Sequence, residues 1–195
     1  VFTDFKPLVV SNDRRVVRNP LILDSGTYCM DFDGLATIAS DPAVTALILC
    51  NPHNPVGRAW REDELARLAQ ICADHGVSVI ADEIHADVVL PGFQFTPFAT
   101  VAQNAVRWVA LHGPIKTFGL AGVSDTLVIS ADADVSQSFR QLSSRLHLTR
   151  NNVFGIAASV AAYIKGDRWL DDLIELTKNN LTILECDLPG GIHLI

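Results

Sequence analysis

The chain has 195 residues, of which 49% are apolar and 19% are charged, and its formal net charge is −7. This balance fits one large domain, or one domain with a fragment of another, that buries a substantial core. A negative net charge without a basic stretch argues against binding to nucleic-acid phosphates. No apolar run reaches the ~20 residues that a membrane-spanning helix needs. We therefore expect neither a nucleic-acid partner nor a membrane segment.

Short β-rich runs alternate with helical patterns, which is typical of a mostly parallel sheet covered by helices. The predicted strands, in chain order, cover residues 15–23, 45–50, 77–81, 106–111 and 126–130. The predicted helices cover 62–74, 134–148, 152–165 and 168–185. Gly76 supplies the C-terminal stop of the first of these helices. The sequence therefore predicts an α/β fold with a three-layer, mostly parallel sheet.

The cysteines are far apart in the sequence and lie among apolar residues: Cys29, Cys50, Cys72 and Cys186. Their spacing resembles neither a metal site nor a disulfide framework. We therefore expect buried thiols in a reducing compartment and no metal ion.

Three polar segments each follow a predicted strand: residues 51–57 (NPHNPVG), 82–85 (DEIH) and 113–119. Each segment has an ordinary interpretation, as a turn fixed by proline and glycine, an acidic strand end or a solvated lysine. In open α/β sheets, however, ligands bind beyond the carboxyl ends of the strands. The three segments are therefore predicted to converge on one crevice.

The ordered set of motifs resembles a known family. Asn54 lies in an N-P-x-G motif, Asp82 follows 28 residues later at a strand end, and Lys116 follows after another 34 residues in I-K-T-F-G. This order resembles the class I/II aminotransferases, which are fold type I enzymes that use pyridoxal 5'-phosphate. The doubled N-P-x-N-P-x-G and the D-E-I-H sequence most resemble the C–S β-lyase, or cystathionine β-lyase-like, branch of that family.

The resemblance implies a role for each motif residue. Lys116 would form the Schiff base with the cofactor and then act as general base. Asp82 would pair with the pyridine nitrogen and keep it protonated, so that the ring serves as an electron sink. Asn54 and His85 would donate hydrogen bonds to the phenolate oxygen of the ring.

The same resemblance implies further cofactor contacts. Ile84 would lie under one face of the ring, and Phe2 would stack on the other face where the lyase branch usually has tyrosine. The family usually has serine or threonine just before the lysine to hold the phosphate, whereas residues 112–115 here read His-Gly-Pro-Ile. Ser124 would then supply a hydroxyl to the phosphate, with His112 or the Gly113 amide as further donors.

The chain starts without methionine and ends within an apolar pattern, so we expect a piece of a longer protein. Residues 1–187 are expected to form part of a pyridoxal-phosphate-binding large domain and the helix that leads out of it. Residues 188–195 are expected to begin a small C-terminal domain. The resemblance places the phosphate-cradling loop upstream of Val1 and the arginine that binds the substrate carboxylate downstream of Ile195.

The resemblance implies a cytoplasmic, homodimeric C–S β-lyase that releases thiol, pyruvate and ammonia from an amino acid such as cystathionine. An aminotransferase that passes the amino group to a 2-oxo acid is the first alternative, because both reactions use the same fold and cofactor. A non-catalytic or regulatory protein with the same fold is the second.

Overall fold

The computed structural model describes residues 3–102, 105–123, 126–149, 151–190 and 192. The helices within these ranges are α1 (Phe5–Ser11), α2 (Phe32–Ala39), α3 (Glu62–Asp74), α4 (Phe98–Ala102), α5 (Ala133–Arg145), α6 (Val153–Lys165) and α7 (Asp167–Asp187). The strands are β1 (Ile22–Asp24), β2 (Thr27–Cys29), β3 (Ala46–Cys50), β4 (Ser78–Asp82), β5 (Trp108–His112) and β6 (Leu127–Ile129).

The main sheet has the order β3-β4-β5-β6. β3 pairs with β4 and β4 with β5 in parallel, whereas β6 runs antiparallel to β5. Crossovers that contain α3 and α4 make the parallel pairing possible, because parallel neighbours cannot be joined by a tight hairpin. The expected mixed, mostly parallel α/β sheet is therefore confirmed.

The core lies on the face of the sheet that α3 and α4 cover. Alternation along the strands points Val79 and Ala81 of β4, and Trp108 and Ala110 of β5, to this face, where each is buried. The residues of α3 that meet them recur at helical spacing: Leu65, Leu68, Ala69 and Cys72. Burial of each large apolar side chain contributes about 1.5–3 kcal/mol, so this interface fixes the strands that lead to the polar loops.

Helix α3 has the bounds that the sequence predicts because both of its ends are marked. The Glu64 carboxylate accepts a hydrogen bond from the backbone N–H of the N-cap residue Arg61 at 2.9 Å, which satisfies one free N–H group at the start of the helix. Gly76, with φ +67°, adopts the left-handed conformation that ends the chain's helical path.

The predicted strand at 15–23 is wrong over most of its length. Only its last two residues belong to β1, which pairs with β2 in a short hairpin through Ser25 and Gly26 at positive φ. Val16 and Val17 are more than one-third exposed. An apolar run becomes a strand only where it meets another strand, and residues 15–21 pair with none among the described residues.

Three helices and one strand were not predicted, namely α1, α2, α4 and β2. Helix α2 carried a readable signal, because Asp31 caps it by accepting a hydrogen bond from the Gly34 N–H at 2.8 Å. Helices α5, α6 and α7 agree with their predicted ranges to within a few residues.

The cysteines form no disulfide, but their burial differs from the prediction. Cys50 and Cys72 are buried, whereas Cys29 is half-buried and Cys186 is exposed on α7. Burial raises the pKa of the Cys72 thiol to about 11, so this thiol stays protonated and acts as a small apolar side chain.

In the described part of the chain, no helix has the length and apolar character needed to cross a membrane. The boundary predicted at 187/188 coincides with the end of α7, and the division into domains stays a prediction.

Candidate active site

The carboxyl ends of the three parallel strands are level with one another. Cys50 of β3 lies opposite Asp82 of β4, which lies opposite Leu111 of β5. Backbone hydrogen bonds continue the pairing by one step, from the Asn51 N–H to the Asp82 carbonyl and from the Glu83 N–H to the Leu111 carbonyl, both at 3.0 Å. The three polar segments therefore start at the same edge of the sheet.

The first segment is held from within by Asn51, which is completely buried. Its side-chain oxygen accepts a hydrogen bond from the Trp60 N–H at 3.1 Å, and its amide donates to the Thr96 carbonyl at 2.9 Å. The Trp60 indole N–H donates to the Cys50 carbonyl at 2.9 Å. Asn54, in contrast, lies exposed in the turn between Asn51 and Trp60. The first Asn-Pro unit thus fixes the loop, and the second presents an amide to solvent. The sequence alone did not show that Asn51 is the asparagine that holds the loop in place.

Asp82 ends β4 as a half-buried carboxylate. Its Oδ1 accepts a hydrogen bond from the Ile84 N–H at 3.3 Å. Burial raises the pKa of the Asp82 carboxyl, an effect opposed by the Ile84 N–H and by the charges of His85 and Lys116. A carboxylate in this setting is stabilised by any cationic or N–H partner that reaches it.

His85 and Lys116 lie within electrostatic range of that carboxylate. Burial lowers the pKa of His85; Asp82 opposes this effect and Lys116 adds to it. The imidazole is therefore neutral near pH 7, with one N–H donor and one acceptor nitrogen. Lys116 lies in the turn after β5, and its side chain is exposed. Asp82, His85 and Lys116 thus lie at or after the level ends of β4 and β5, where their charges act on one another, and the exposed Asn54 lies on the loop after β3.

His112, which was expected to be a further phosphate donor, has one ring nitrogen paired with a buried carboxylate. Its Nε2 lies 3.1 Å from Oε2 of Glu83, a carboxylate that is only 1% exposed. The other Glu83 oxygen accepts a hydrogen bond from the Phe98 N–H at 2.6 Å. The hydrogen bond to Glu83 raises the pKa of His112 against the effect of burial, and the charges of Glu83 and Asp87 raise it further. Through Nε2, His112 therefore joins β5 to the segment after β4, and its contribution to phosphate binding stays a prediction.

Two predicted cofactor contacts, Phe2 and Ser124, lie outside the described residues. Ile84 is described and is buried, with 8% of its surface exposed, directly after the acidic pair. No group of three or more histidine, cysteine or acidic side chains that could hold a metal ion occurs among the residues that the structure describes.

Comparison with known proteins gives concordant results. The chain is 41% identical over 189 residues to "Cystathionine beta-lyase PatB" of Bacillus subtilis. The matched region covers 96% of this chain and 49% of that protein. It is 32% identical to "Protein MalY" of Escherichia coli, over 92% of this chain and 46% of that protein. The structure of the PLP-bound C-S lyase from Staphylococcus hominis matches 92% of the chain and 45% of its own length, with a TM-score of 0.85 and 31% identity.

Aminotransferases are also similar. The structure of N-succinyldiaminopimelate aminotransferase from Mycobacterium tuberculosis matches 94% of the chain and 47% of its own length, with a TM-score of 0.83 and 25% identity. The chain thus spans about half the length of the curated relatives that it matches. The family model "Aminotransferase class I and II" matches residues 2–187. On its sequence motifs, its fold and this match, the chain belongs to the class I and II aminotransferase family.

Proposed function

We propose that the protein is a pyridoxal-phosphate-dependent C–S β-lyase that acts on a sulfur-containing amino acid and releases thiol, pyruvate and ammonia. The observation that supports the proposal is that Asp82, His85 and Lys116 follow the level carboxyl ends of β4 and β5 and that their charges act on one another. Relatives named as cystathionine β-lyases, with 41% identity in one case, favour the lyase over other members of the family.

The chemistry of these side chains fits the cofactor. Asp82 offers a half-buried carboxylate, the partner that a protonated pyridine nitrogen needs. His85 keeps an N–H when neutral, and Asn54 has an exposed amide, so both are able to donate to the ring oxygen. Lys116 has an exposed primary amine for the aldehyde.

Each residue has a defined task in the proposed reaction. When bound, the cofactor withdraws electrons from the α-carbon of the substrate. Lys116 takes the α-proton on its amine, a general-base step that typically contributes 10²–10⁴-fold. Asp82 holds the proton on the ring nitrogen, and His85 and Asn54 hold the ring in place through its oxygen. The β-sulfur leaves as a thiol, and water completes the conversion of the remainder to pyruvate and ammonia.

An aminotransferase is the second candidate because relatives with that activity in their names also match, such as nicotianamine aminotransferase A of Hordeum vulgare at 28% identity. Both candidates require Lys116 and Asp82. Only the products distinguish them.

Visible absorbance with and without Lys116 tests the proposal. We expect the full-length protein, once free cofactor has been removed, to be yellow, the Lys116→Ala variant to lose this band, and Lys165→Ala to keep it. Lys165 is a suitable control because it is an exposed lysine in the last turn of α6. A colourless unaltered protein, or a band that persists without Lys116, contradicts the proposal and favours a non-catalytic protein with this fold.

We also infer a cytoplasmic homodimer. Both properties are what the resemblance to the C–S β-lyase branch of the family implies. Light scattering on the protein tests the dimer, and a monomeric mass contradicts it.

A further inference from the structure

The residue after Lys116 is held more firmly than the lysine itself. Thr117 is only 1% exposed, and its hydroxyl donates a hydrogen bond to Asp87 Oδ2 at 2.9 Å. Its carbonyl accepts a hydrogen bond from the Trp169 indole N–H at 3.1 Å. The backbone that carries Lys116 is thus connected to the segment after β4 and to α7.

Packing fixes the next residue in the same way. The Phe118 ring meets Tyr163 edge-on, with ring centroids 5.8 Å apart. It also lies against Gly166, where an added Cβ would come within 2.4 Å of the ring. Phe118 therefore occupies a fitted position at the junction of α6 and α7, and the glycine makes that position possible.

A second connection lies on the other side of the lysine. His112, four residues before Lys116, is bound to Glu83 at 3.1 Å. Both connections lead to the same short segment, 83–87, which comes directly after Asp82 and contains His85. The two contacts therefore lie on either side of Lys116 and hold its turn against the segment that follows Asp82 and carries His85.

We propose that the hydrogen bond between Thr117 and Asp87 makes these two residues positioning residues for Lys116. The proposal rests on the proposed function, since it presumes that Lys116 is the amine that meets the cofactor aldehyde. The Lys116 side chain is long and exposed, so its reach toward Asp82 depends on where its backbone is held. A misplacement of about 1 Å at a reacting group can reduce the rate by about 10²-fold.

The test uses pyridoxal phosphate as an amine label. Sodium borohydride fixes the aldehyde to the amine that it has reached, and peptide mapping then gives the distribution over Lys6, Lys116, Lys165 and Lys178. We expect the unaltered protein to be labelled mainly at Lys116. In Thr117→Val the labelling rate at Lys116 should fall by about tenfold to a hundredfold, and Thr117→Ser, which keeps the hydroxyl, should restore it.

Asp87 provides the second pair of variants. Asp87→Ala removes the acceptor and should reproduce the effect of Thr117→Val, whereas Asp87→Asn keeps an oxygen acceptor and should retain most of the labelling. Thr177→Val is the matched control, because the Thr177 hydroxyl donates within its own helix to the Leu173 carbonyl at 2.8 Å. Circular dichroism identifies any variant that is not folded. If a variant at one of the two positions is unfolded, the variants at the other position decide whether the hydrogen bond positions Lys116.

The outcomes separate this inference from the proposed function. Even labelling of all lysines in the unaltered protein overturns the proposed function, and the inference with it. Selective labelling of Lys116 that persists in folded Thr117→Val and Asp87→Ala overturns the positioning role alone. Loss of labelling in Thr117→Val that Thr117→Ser does not restore also overturns it, because the hydroxyl is then not the cause.

Discussion

Two adjacent acidic residues at the end of β4 have opposite surroundings. Asp82 belongs to the face of the sheet that meets His85 and Lys116, whereas Glu83 is buried and bonds to His112 and to the Phe98 N–H. Because side chains of an extended chain alternate in direction, neighbouring residues are sent to different environments. One carboxylate is thereby left half-buried at the strand end, and the other joins two elements of the fold.

The Glu83–His112 pair predicts a pH-dependent contribution to stability. Since the folded-state pKa of His112 is raised, the pair contributes fully below the unfolded pKa, about 6.5, and the contribution is lost as pH rises through the higher folded pKa. The destabilisation caused by His112→Gln should therefore be largest near pH 6 and shrink toward pH 8.5. Urea unfolding of both proteins across this range measures it. A difference that does not vary with pH would show that protonated His112 adds nothing.

The two Asn-Pro units of the first loop should respond oppositely to substitution. Asn51→Ala leaves the Trp60 N–H and the Thr96 carbonyl without their partner in a buried site, which we expect to lower the free energy of unfolding by about 2–4 kcal/mol. Asn54→Ala alters an exposed side chain and should change stability by less than about 0.5 kcal/mol while weakening cofactor binding. Chemical denaturation and a fluorescence titration with pyridoxal phosphate measure the two effects. Equal stability losses would contradict the division of roles.

Elements with both a periodic pattern and marked ends were predictable from the sequence. Helix α3 is an example, because its apolar spacing, its capping glutamate and Gly76 agree. The stretch 15–21 has an apolar pattern as well, yet whether it pairs depends on a neighbouring strand that local sequence does not reveal. The short helix α4 has only five residues, too few for a periodic pattern to appear.

The hydrogen bond between Glu64 and the N-cap of α3 gives a prediction at this scale. Glu64 accepts from the Arg61 N–H and pairs with Arg58 at 3.0 Å, and both side chains of the ion pair are largely buried. Glu64→Ala removes the cap and leaves the Arg58 charge without its partner, so we expect a loss of about 2–4 kcal/mol. Glu62→Ala, at an exposed position of the same turn, should cost less than about 1 kcal/mol. Thermal and urea unfolding distinguish the two, and similar losses would contradict the importance of the cap.

The whole chain exposes more surface than a compact protein of its mass. Its accessible surface is 12856 Å², whereas a compact monomer of 21.2 kDa exposes about 9,100 Å². Large apolar side chains on α6 contribute to the excess, among them Val153, Phe154 and Ile164, each more than two-thirds exposed. Apolar surface of this extent is typical of faces that pack against further protein.

The candidate site was only partly predictable from the sequence. Order and spacing of motifs placed Asp82, His85 and Lys116 at one sheet edge, because parallel strands end together. The partner of His112 was not predictable, since it depends on how two strand ends sit side by side. Ser124 and Phe2, which lie outside the described residues, stay predictions.

Phosphate recognition by the 195-residue chain is expected to be weak. The family that the chain resembles usually has serine or threonine just before the lysine to hold the phosphate, whereas residues 112–115 read His-Gly-Pro-Ile here, and Nε2 of His112 is paired with Glu83. The chain should therefore bind pyridoxal phosphate no more than a few-fold more tightly than pyridoxal, which lacks the phosphate. Parallel absorbance titrations with the two compounds measure this ratio. A preference of about 10²-fold or more, equal to about 2.7 kcal/mol, would show that Ser124 and backbone amides suffice.

The proposed reaction type is tested on the whole protein. On the proposed function, elimination and transamination would both begin when Lys116 removes the α-proton, and they would diverge at the second step. Elimination expels the sulfur as a good leaving group, whereas transamination requires a proton to be delivered to the cofactor carbon, a second task for the same amine. With cystathionine we therefore expect pyruvate and ammonia to form faster than an amino group passes from an ordinary amino acid to a 2-oxo acid.

Coupled assays for pyruvate and for amino-group transfer, run in parallel with Lys116→Ala as the inactive control, measure both rates. Rapid amino-group transfer without pyruvate from cystathionine would identify an aminotransferase instead, and the requirement for Lys116 and Asp82 would be unchanged because both reactions share the first step.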